Sequence, residues 1–366
     1  MTNQKSQEYG RLIPMLASIE SLVKCESPSD DLDACRSVVA LASEIAEEVL
    51  GAPAQIKQIQ GRPVFWWGSQ SPKVLVLAHL DTVWPKGSFT PLWSVEANVV
   101  RGPGVFDMKA GFVQALYALK GIEGEVALVA TTDEETGSHA SKTLIMELSA
   151  KADAVLVLEA SLDGKVKTGR KGTSMYQISV HGLASHAGLE PEKGVNATTA
   201  MAHLVLQLAG LEDSAHGTTV VPTTLKSGTT TNTVPDLAML DVDVRSFSQE
   251  ELHRVDAAIR ALRVNMQGAR VEVTGGLNRP PLAPSSTKEL YEIAEAVAAK
   301  IGMPPLGSAN VGGASDGNFA AAAGARVLDG LGAVGGGAHA ANEWVDASTI
   351  ESRSALLHAL IKELLV

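Results

Sequence analysis

The sequence predicts a mixed α/β fold: a mostly parallel sheet with flanking helices, into which a smaller α+β unit is inserted. Three observations predict it. Before residue 172, short continuous apolar runs are separated by stretches of helical periodicity. From 172 to 282 the texture changes to alternating strands around two helices, and after 282 the first texture returns. The length of 366 residues suits two domains at about 150 residues each. The expected boundaries are 1–171 with 283–366 for the larger domain and 172–282 for the insertion.

Taken in order, Leu12, Ile13, Leu16, Ile19 and Leu22, and then Val38, Leu41, Ile45 and Val49, recur at helical spacing between Gly10 and Leu50. The run after Lys73 up to His79 reads as a strand buried on both faces. Met108 to Leu119 reads as a helix, the run from Glu125 to Asp133 as a second buried strand, and Ser138 to Leu148 as a helix with Ser138 as N-cap. The run from Ala152 to Glu159 is a third strand. Strands alternating with helices imply parallel pairing. In the insertion, Ser174 to His181, Thr218 to Leu225, Thr230 to Val234, Ala238 to Val244 and Ala269 to Gly275 read as strands. Gly194 to Leu211 and Ser248 to Met266 read as helices, the second opened by Ser248 and Glu251 in a capping-box arrangement. The Pro/Ser-rich stretch from Asn278 to Ser286 leads out. Helix Thr287 to Ile301, strand Arg326 to Asp329 and helix Ala347 to Leu365 close the chain, and the Gly/Ala-rich stretch from Asn310 to Ala341 reads as packed loops.

Composition excludes several classes. Hydrophobic residues make up 45% and charged residues 19%, a globular balance. Lys+Arg number 30 against 41 Asp+Glu, a net charge of −11, and no basic run offers a face to nucleic acid. No stretch approaches the ~20 apolar residues of a membrane span. Cys25 and Cys35 alone make no disulfide framework. The first 16 residues show no leader pattern, so a cytoplasmic protein is expected.

In open α/β sheets ligands bind beyond the carboxyl ends of the strands. After the first strand stand His79 and Asp81, after the second Asp133, Glu134 and Glu135, after the third Glu159, and after the strand near Val327 the segment with His339. Asp107 lies between the first two strands at a loop-to-helix junction. Singly, each has a bland account: a hydrogen-bonded core histidine, a solvated loop acid. Together, so many carboxylates on one sheet edge would repel one another unless a multivalent cation neutralised them. Imidazole with carboxylate suits Zn²⁺, with Mn²⁺ or Co²⁺ as substitutes, better than Ca²⁺ or Mg²⁺. Five ligands, one of them shared, fit two ions about 3.5–4 Å apart. His79 and Asp81, two apart in extended chain, point the same way, so Asp81 is expected to accept the second ring N–H of His79.

These residues carry a resemblance. The segments HLDTVWP (79–85), GPGVFDMKAG (102–111), TTDEETGS (131–138), LEA (158–160), RKGTSMYQISVHGLASHAG (170–188), TTTNTVP (229–235), DVDVR (241–245) and GGAHAANEWV (336–345) resemble, in order, those of the di-zinc exopeptidases. That family includes glutamate carboxypeptidases, acetylornithine deacetylases, succinyl-diaminopimelate desuccinylases, peptidase T and aminoacylases. HLDTVWP, RKG, SHAG and GVNA (194–197) look nearest the glutamate carboxypeptidase branch. GPG stands where GRG is common, and LEA replaces a more usual context; neither removes a ligand.

The resemblance implies a di-zinc catalytic domain with an inserted ferredoxin-like lid and dimerisation domain. It implies that Asp107 bridges two Zn²⁺, that His79 and Glu159 complete one site, and that Glu135 and His339 complete the other. Glu134 would be the general base, a split from Glu135 that spacing alone leaves open, and Asp81 would orient His79. His186 of the insertion would supply the oxyanion donor, and Asn232 and Arg245 would contact substrate. From the residues alone, Arg245 is either a fork for a substrate carboxylate or the salt-bridge partner of Asp241 or Asp243. The expected reaction is hydrolysis of an amide beside a free carboxylate, releasing a glutamate-like C-terminal amino acid from a small peptide. The alternative is an N-acyl-amino-acid amidohydrolase, and a homodimer through the insertion is implied by either. A di-zinc phosphoesterase lacks a phosphate-cradling loop here, and a non-catalytic binding protein would be expected to lose Glu134 or a ligand.

Overall fold

The computed structural model describes residues 2–366, with side chains from residue 10 onward. Residue 1, where the expected larger domain and the stretch read for a leader begin, lies outside the described residues. The chain divides into two compact units. The larger comprises Met1–Gly169, Leu282–Val311 and Ser315–Val366, and the smaller Arg170–Pro281 with Gly312–Ala314. Residues 312–314 were expected in the larger domain. They group with the smaller because Arg245 donates to the carbonyl of Gly312 at 3.2 Å and Arg170 to that of Gly313 at 3.0 Å.

The larger unit is built on a six-stranded sheet in the order Gln55–Ile59, Arg62–Gly68, Val126–Thr131, Val74–His79, Ala154–Val157, Val327–Leu328. The last four pair in parallel and the first two form an antiparallel hairpin at the edge. The apolar runs are continuous because both faces are covered. Val74, Val76 and Ala78 face helices Thr2–Lys24, Leu32–Leu50, Ala110–Leu119, Lys288–Lys300 and Ala347–Leu364, while Leu75 and Leu77 face Lys142–Ser149 and Asp316–Ala322. All six residues of Val74–His79 are buried, so the polar chemistry must wait for the strand end.

Several local expectations change. The helix expected from Ser138 begins at Lys142; Ser138 has a positive φ and its hydroxyl bonds Asp316 instead of capping. The helix expected from Met108 starts at Ala110, because Asp107 and Met108 are not helical and close a wide turn, Val105–Lys109. The edge hairpin went unread, as did a four-stranded sheet in the order Gly335–Gly336, Trp344–Asp346, Val99–Arg101, Ser94–Glu96.

In the smaller unit, antiparallel strands run in the order Thr219–Ser227, Leu237–Ser246, Gly172–His181, Arg270–Arg279. Helices Ala197–Ala209 and Gln249–Arg260 cover one face, where Ile178, Val180, Leu240, Val242 and Val244 meet Leu204, Leu252 and Val255. Asn196 caps the first helix. Ser248 caps the second by accepting from Glu251 N, but the Glu251 carboxylate pairs with Arg254 and Thr218, so the box is not reciprocated. That helix ends at Arg260, short of Met266, and the strand expected over 230–234 is reduced to Thr233–Val234, paired with Ser185–His186. Among the described residues no helix is long and apolar enough to cross a membrane. Cys25 is half-buried, Cys35 buried, and both are free thiols.

Candidate active site

Five of the expected residues converge at the carboxyl edge of the larger unit's sheet. His79 ends its strand and is 1% exposed; its Nε2 lies 3.2 Å from Asp107 Oδ1 and 3.7 Å from Glu159 Oε1. His339 Nε2 lies 3.1 Å from Glu135 Oε2 and 3.4 Å from Asp107 Oδ2. Asp107 therefore turns one oxygen to each imidazole, the disposition a shared ligand needs. Two donor sets, His79 with Asp107 and Glu135, and His79 with Glu134 and Glu159, each bring their donor atoms within 4.8 Å of one another. Those sets place Glu134 beside His79 and Glu159, while the shortest contacts pair His339 with Glu135. Both hold at once if Glu134 stands at the rim of one site without completing it.

The chain delivers these side chains by short, firmly anchored turns. Strand Val126–Thr131 leads into the single turn Glu134–Thr136, closed by Gly137. The Asp133 carboxylate accepts from Ala140 N at 2.7 Å and Ser141 N at 3.2 Å, tying down the far side of that turn. Asp81 ties the near side: its carboxylate accepts from Glu135 N at 3.2 Å, Glu134 N at 3.4 Å and Ser29 Oγ at 2.7 Å. The partner of His79 Nδ1 is first the Asp81 carbonyl, at 3.0 Å, and only then the Asp81 carboxylate, at 3.5 Å. The expected carboxylate–histidine contact is thus shared with the backbone, because the carboxylate is engaged in holding the Glu134–Glu135 turn.

The electrostatics of the cluster favour a cation. Burial works against an imidazolium at His79, yet Asp107 and Asp81 outweigh it and raise its pKa. Hydrogen bonds to Asp107 and Glu135 raise His339 to about 10. Burial would lift Asp107, but His339 and His79 hold it below its ordinary value. Burial, and then the Asp107 charge, raise Glu135. Without an ion, then, positive charge at the site comes from protons on the two imidazoles. A divalent cation could take their place, and the imidazole–carboxylate donors fit Zn²⁺, Mn²⁺ or Co²⁺.

His186, Asn232 and Arg245 belong to the smaller unit. The short ribbon Ser185–His186 with Thr233–Val234 sets His186 beside Asn232, whose carbonyl accepts from Ala187 N at 2.9 Å. His186 Nδ1 accepts from Gly188 N and Leu189 N, each at 3.1 Å. Backbone N–H groups only donate, so in the neutral ring the proton sits on Nε2. Of the two acids weighed for Arg245, it is Asp243 that holds the fork: Nε to Oδ1 at 2.8 Å and Nη2 to Oδ2 at 3.1 Å. Asp241 is taken by Gln177 and Thr224.

Sequence reasoning missed two residues that build the site, Ser29 on Asp81 and Glu343 on the Asp107 loop. Glu343 lies within the GGAHAANEWV segment as an acid directly before a strand, the one signal that could have found it.

Residues 75–363 match the model of peptidase family M20/M25/M40. The chain is 33% identical over 314 residues to carboxypeptidase G2 of Pseudomonas sp. (strain RS-16), covering 81% of this chain and 75% of that protein. It is 26% identical to succinyl-diaminopimelate desuccinylase of Sulfurovum sp. (strain NBC37-1), covering 81% and 83%. Its fold is similar to that of an M20-family metallo-carboxypeptidase from Sulfolobus solfataricus, with a TM-score of 0.76 at 18% identity, covering 96% of this chain and 99% of that one. A sheet edge gathering two histidines and their carboxylates, within a match that runs nearly the length of the chain, identifies it as a member of peptidase family M20/M25/M40, a metal-dependent hydrolase.

Proposed function

We propose that the protein is a di-zinc carboxypeptidase that removes a glutamate-like C-terminal amino acid from a small peptide. The observation that carries the metal chemistry is Asp107, with one oxygen toward His79 and the other toward His339. In this reading His79, Asp107 and Glu159 hold one ion, and Asp107, Glu135 and His339 the other. When bound, the cations supply Lewis acidity toward water and the amide carbonyl. Glu134, 7% exposed, takes the proton of the attacking water and returns it to the departing amine. Asp81 holds His79 and the Glu134 turn in place. The likeness to carboxypeptidase G2 supports a carboxypeptidase, and the likeness to the desuccinylase supports N-acyl-amino-acid hydrolysis as a second reading. A panel with Zn²⁺-reconstituted enzyme separates them: faster turnover of peptidyl-glutamates than of N-acetyl or N-succinyl amino acids is expected, and the reverse order would install the second reading.

His186, with its proton on Nε2, is the proposed donor to the developing oxyanion. Asn232 and Arg245 are the proposed contacts of the substrate carboxylate. A homodimer through residues 172–282 is proposed, since the small sheet has edge strands able to pair. If His186 serves the partner's site, inactive Glu134→Ala mixed with inactive His186→Ala regains activity as hybrid dimers form. No recovery after demonstrated subunit exchange would place His186 in service of its own chain.

A further inference from the structure

Glu343 is completely buried and lies four residues after His339. Oε1 accepts from Phe106 N at 2.9 Å and Asp107 N at 3.1 Å. Oε2 accepts from Gly104 N at 2.9 Å and from the indole of Trp84 at 3.0 Å. Four N–H donors on two oxygens match the capacity of an ionised carboxylate. The donors come from two of the loops that carry the site, and a third joins them: Trp84 follows His79 and Asp81, and 104–107 includes Asp107 itself. The third loop contributes Glu343, whose own N–H donates to Ala340 O at 2.8 Å, next to His339. Pairing of Trp344–Asp346 with Val99–Arg101 fixes the two strands that flank this junction. Gly104 permits the close approach: at φ +68° a Cβ there would lie 2.4 Å from Thr82 Cγ2.

We infer that Glu343 is a positioning residue for the metal centre, a group that binds the His79, Asp107 and His339 loops into a single frame. The inference rests on the metal-centre reading above. It holds the peptide N–H of Asp107 and of the residue before it, so the direction of the Asp107 side chain depends on it. No other carboxylate can fill the place by shape alone. A glutamine keeps the size but turns an NH₂ toward two N–H donors, and an aspartate falls one methylene short.

The test uses metal-free protein and Co²⁺, whose ligand-field absorption reports coordination. Glu343→Gln is expected to bind Co²⁺ about 10- to 100-fold more weakly than wild type, the range for residues that orient metal ligands, with an altered visible spectrum. A merely structural residue would lower the melting temperature and leave affinity and spectrum unchanged; that result overturns the inference. The second measurement needs no variant: in metal-free wild type the amides of Phe106 and Asp107 are expected to resist hydrogen exchange before any ion is added. Free exchange that slows only on adding Co²⁺ would overturn it as well, even if Glu343→Gln does not fold. Wild type that binds no Co²⁺ would instead overturn the metal reading, and this inference with it.

Discussion

The polar residues of the two units are held in contrasting ways. In the larger unit several parts of the cluster are tied through backbone: the Asp81 carboxylate to two N–H groups of the Glu134 turn, the His79 ring to a carbonyl, and the backbone of the Asp107 loop to Glu343. His79, Asp81, Glu134 and Glu159 are buried, where a misdirected charge is costly, while His339 is exposed, its side chain 53% accessible. In the smaller unit His186 and Asn232 are exposed on a two-residue ribbon, and Arg245 is more than a third exposed and engaged with Asp243. The contrast separates groups that must not move from groups free to adapt. Buried charges in a fixed frame suit chemistry at one point, and exposed donors suit contact with a substrate that arrives and leaves.

The largest expected effect breaks the frame at its centre. Glu134→Ala should retain metal and lose kcat by about 10²–10⁴-fold, the usual contribution of a general acid–base group. Glu135→Ala should lose metal instead, read by elemental analysis after dialysis. Metal loss in the first variant with retention in the second would reverse the two roles.

Arg245 sharpens the comparison from the adaptable side. A charged hydrogen bond that arriving substrate buries costs about 2–5 kcal/mol when truncated, roughly 30- to 5000-fold in kcat/KM. Arg245→Ala should show a loss in that range on carboxylate-bearing substrates and little on the same substrates amidated, with metal content intact. Equal loss on both would make the Asp243 fork the whole role of the residue, and the carboxylate reader would lie elsewhere.

The smallest effect is a proton. With His339 raised to about 10 in the metal-free protein, its imidazole is charged at pH 7, and a cation must displace that proton. Calorimetric titration with Zn²⁺ in buffers of different ionisation heat should report proton release, and affinity should strengthen as pH rises. Heats independent of buffer would mean that the cluster carries no displaceable proton. The raised pKa also fixes the sign for stability. The metal-free fold gains from His339 fully below about pH 6.5, the unfolded value, and loses that gain as pH climbs toward about 10.

Much of the rigid region was legible because its logic is local in sequence. An apolar run buried on both faces stops where a polar residue begins, so His79 and Glu134 announced themselves by position. Ser248 was readable as a cap for the same reason, its bond reaching only three residues ahead, whereas the cap at Asn196 went unread. What stayed hidden depends on distant partners. Ser138 looked like a cap until Asp316, far along the chain, claimed its hydroxyl. The strands Val99–Arg101 and Trp344–Asp346 are three residues each, too short for any period to show. The orientation expected of the Asp81 carboxylate was altered by Ser29 and the Glu134 turn, neither predictable from two-residue spacing. The hairpin Gln55–Ile59 with Arg62–Gly68 turns on Gln60 and Gly61, both at positive φ, a signal present but unused.

The pairing of Trp344–Asp346 with Val99–Arg101 also bears on how the molecule is made. Synthesis runs from the amino end, and the residues proposed as ligands emerge in the order His79, Asp107, Glu135, Glu159 and, after a long interval, His339. During that interval the ribosome makes the whole of Arg170–Pro281, whose strands pair mainly with one another and can fold as they appear. The earlier segment, meanwhile, lacks its last histidine, its clamp at Glu343 and the strand Val327–Leu328 that borders Ala154–Val157. Contacts that distant in the chain form late and slowly. The proposed ligand set is therefore incomplete until His339 has been made, long after its other members, so the cluster and the closing strands of the larger unit come together in the same late step.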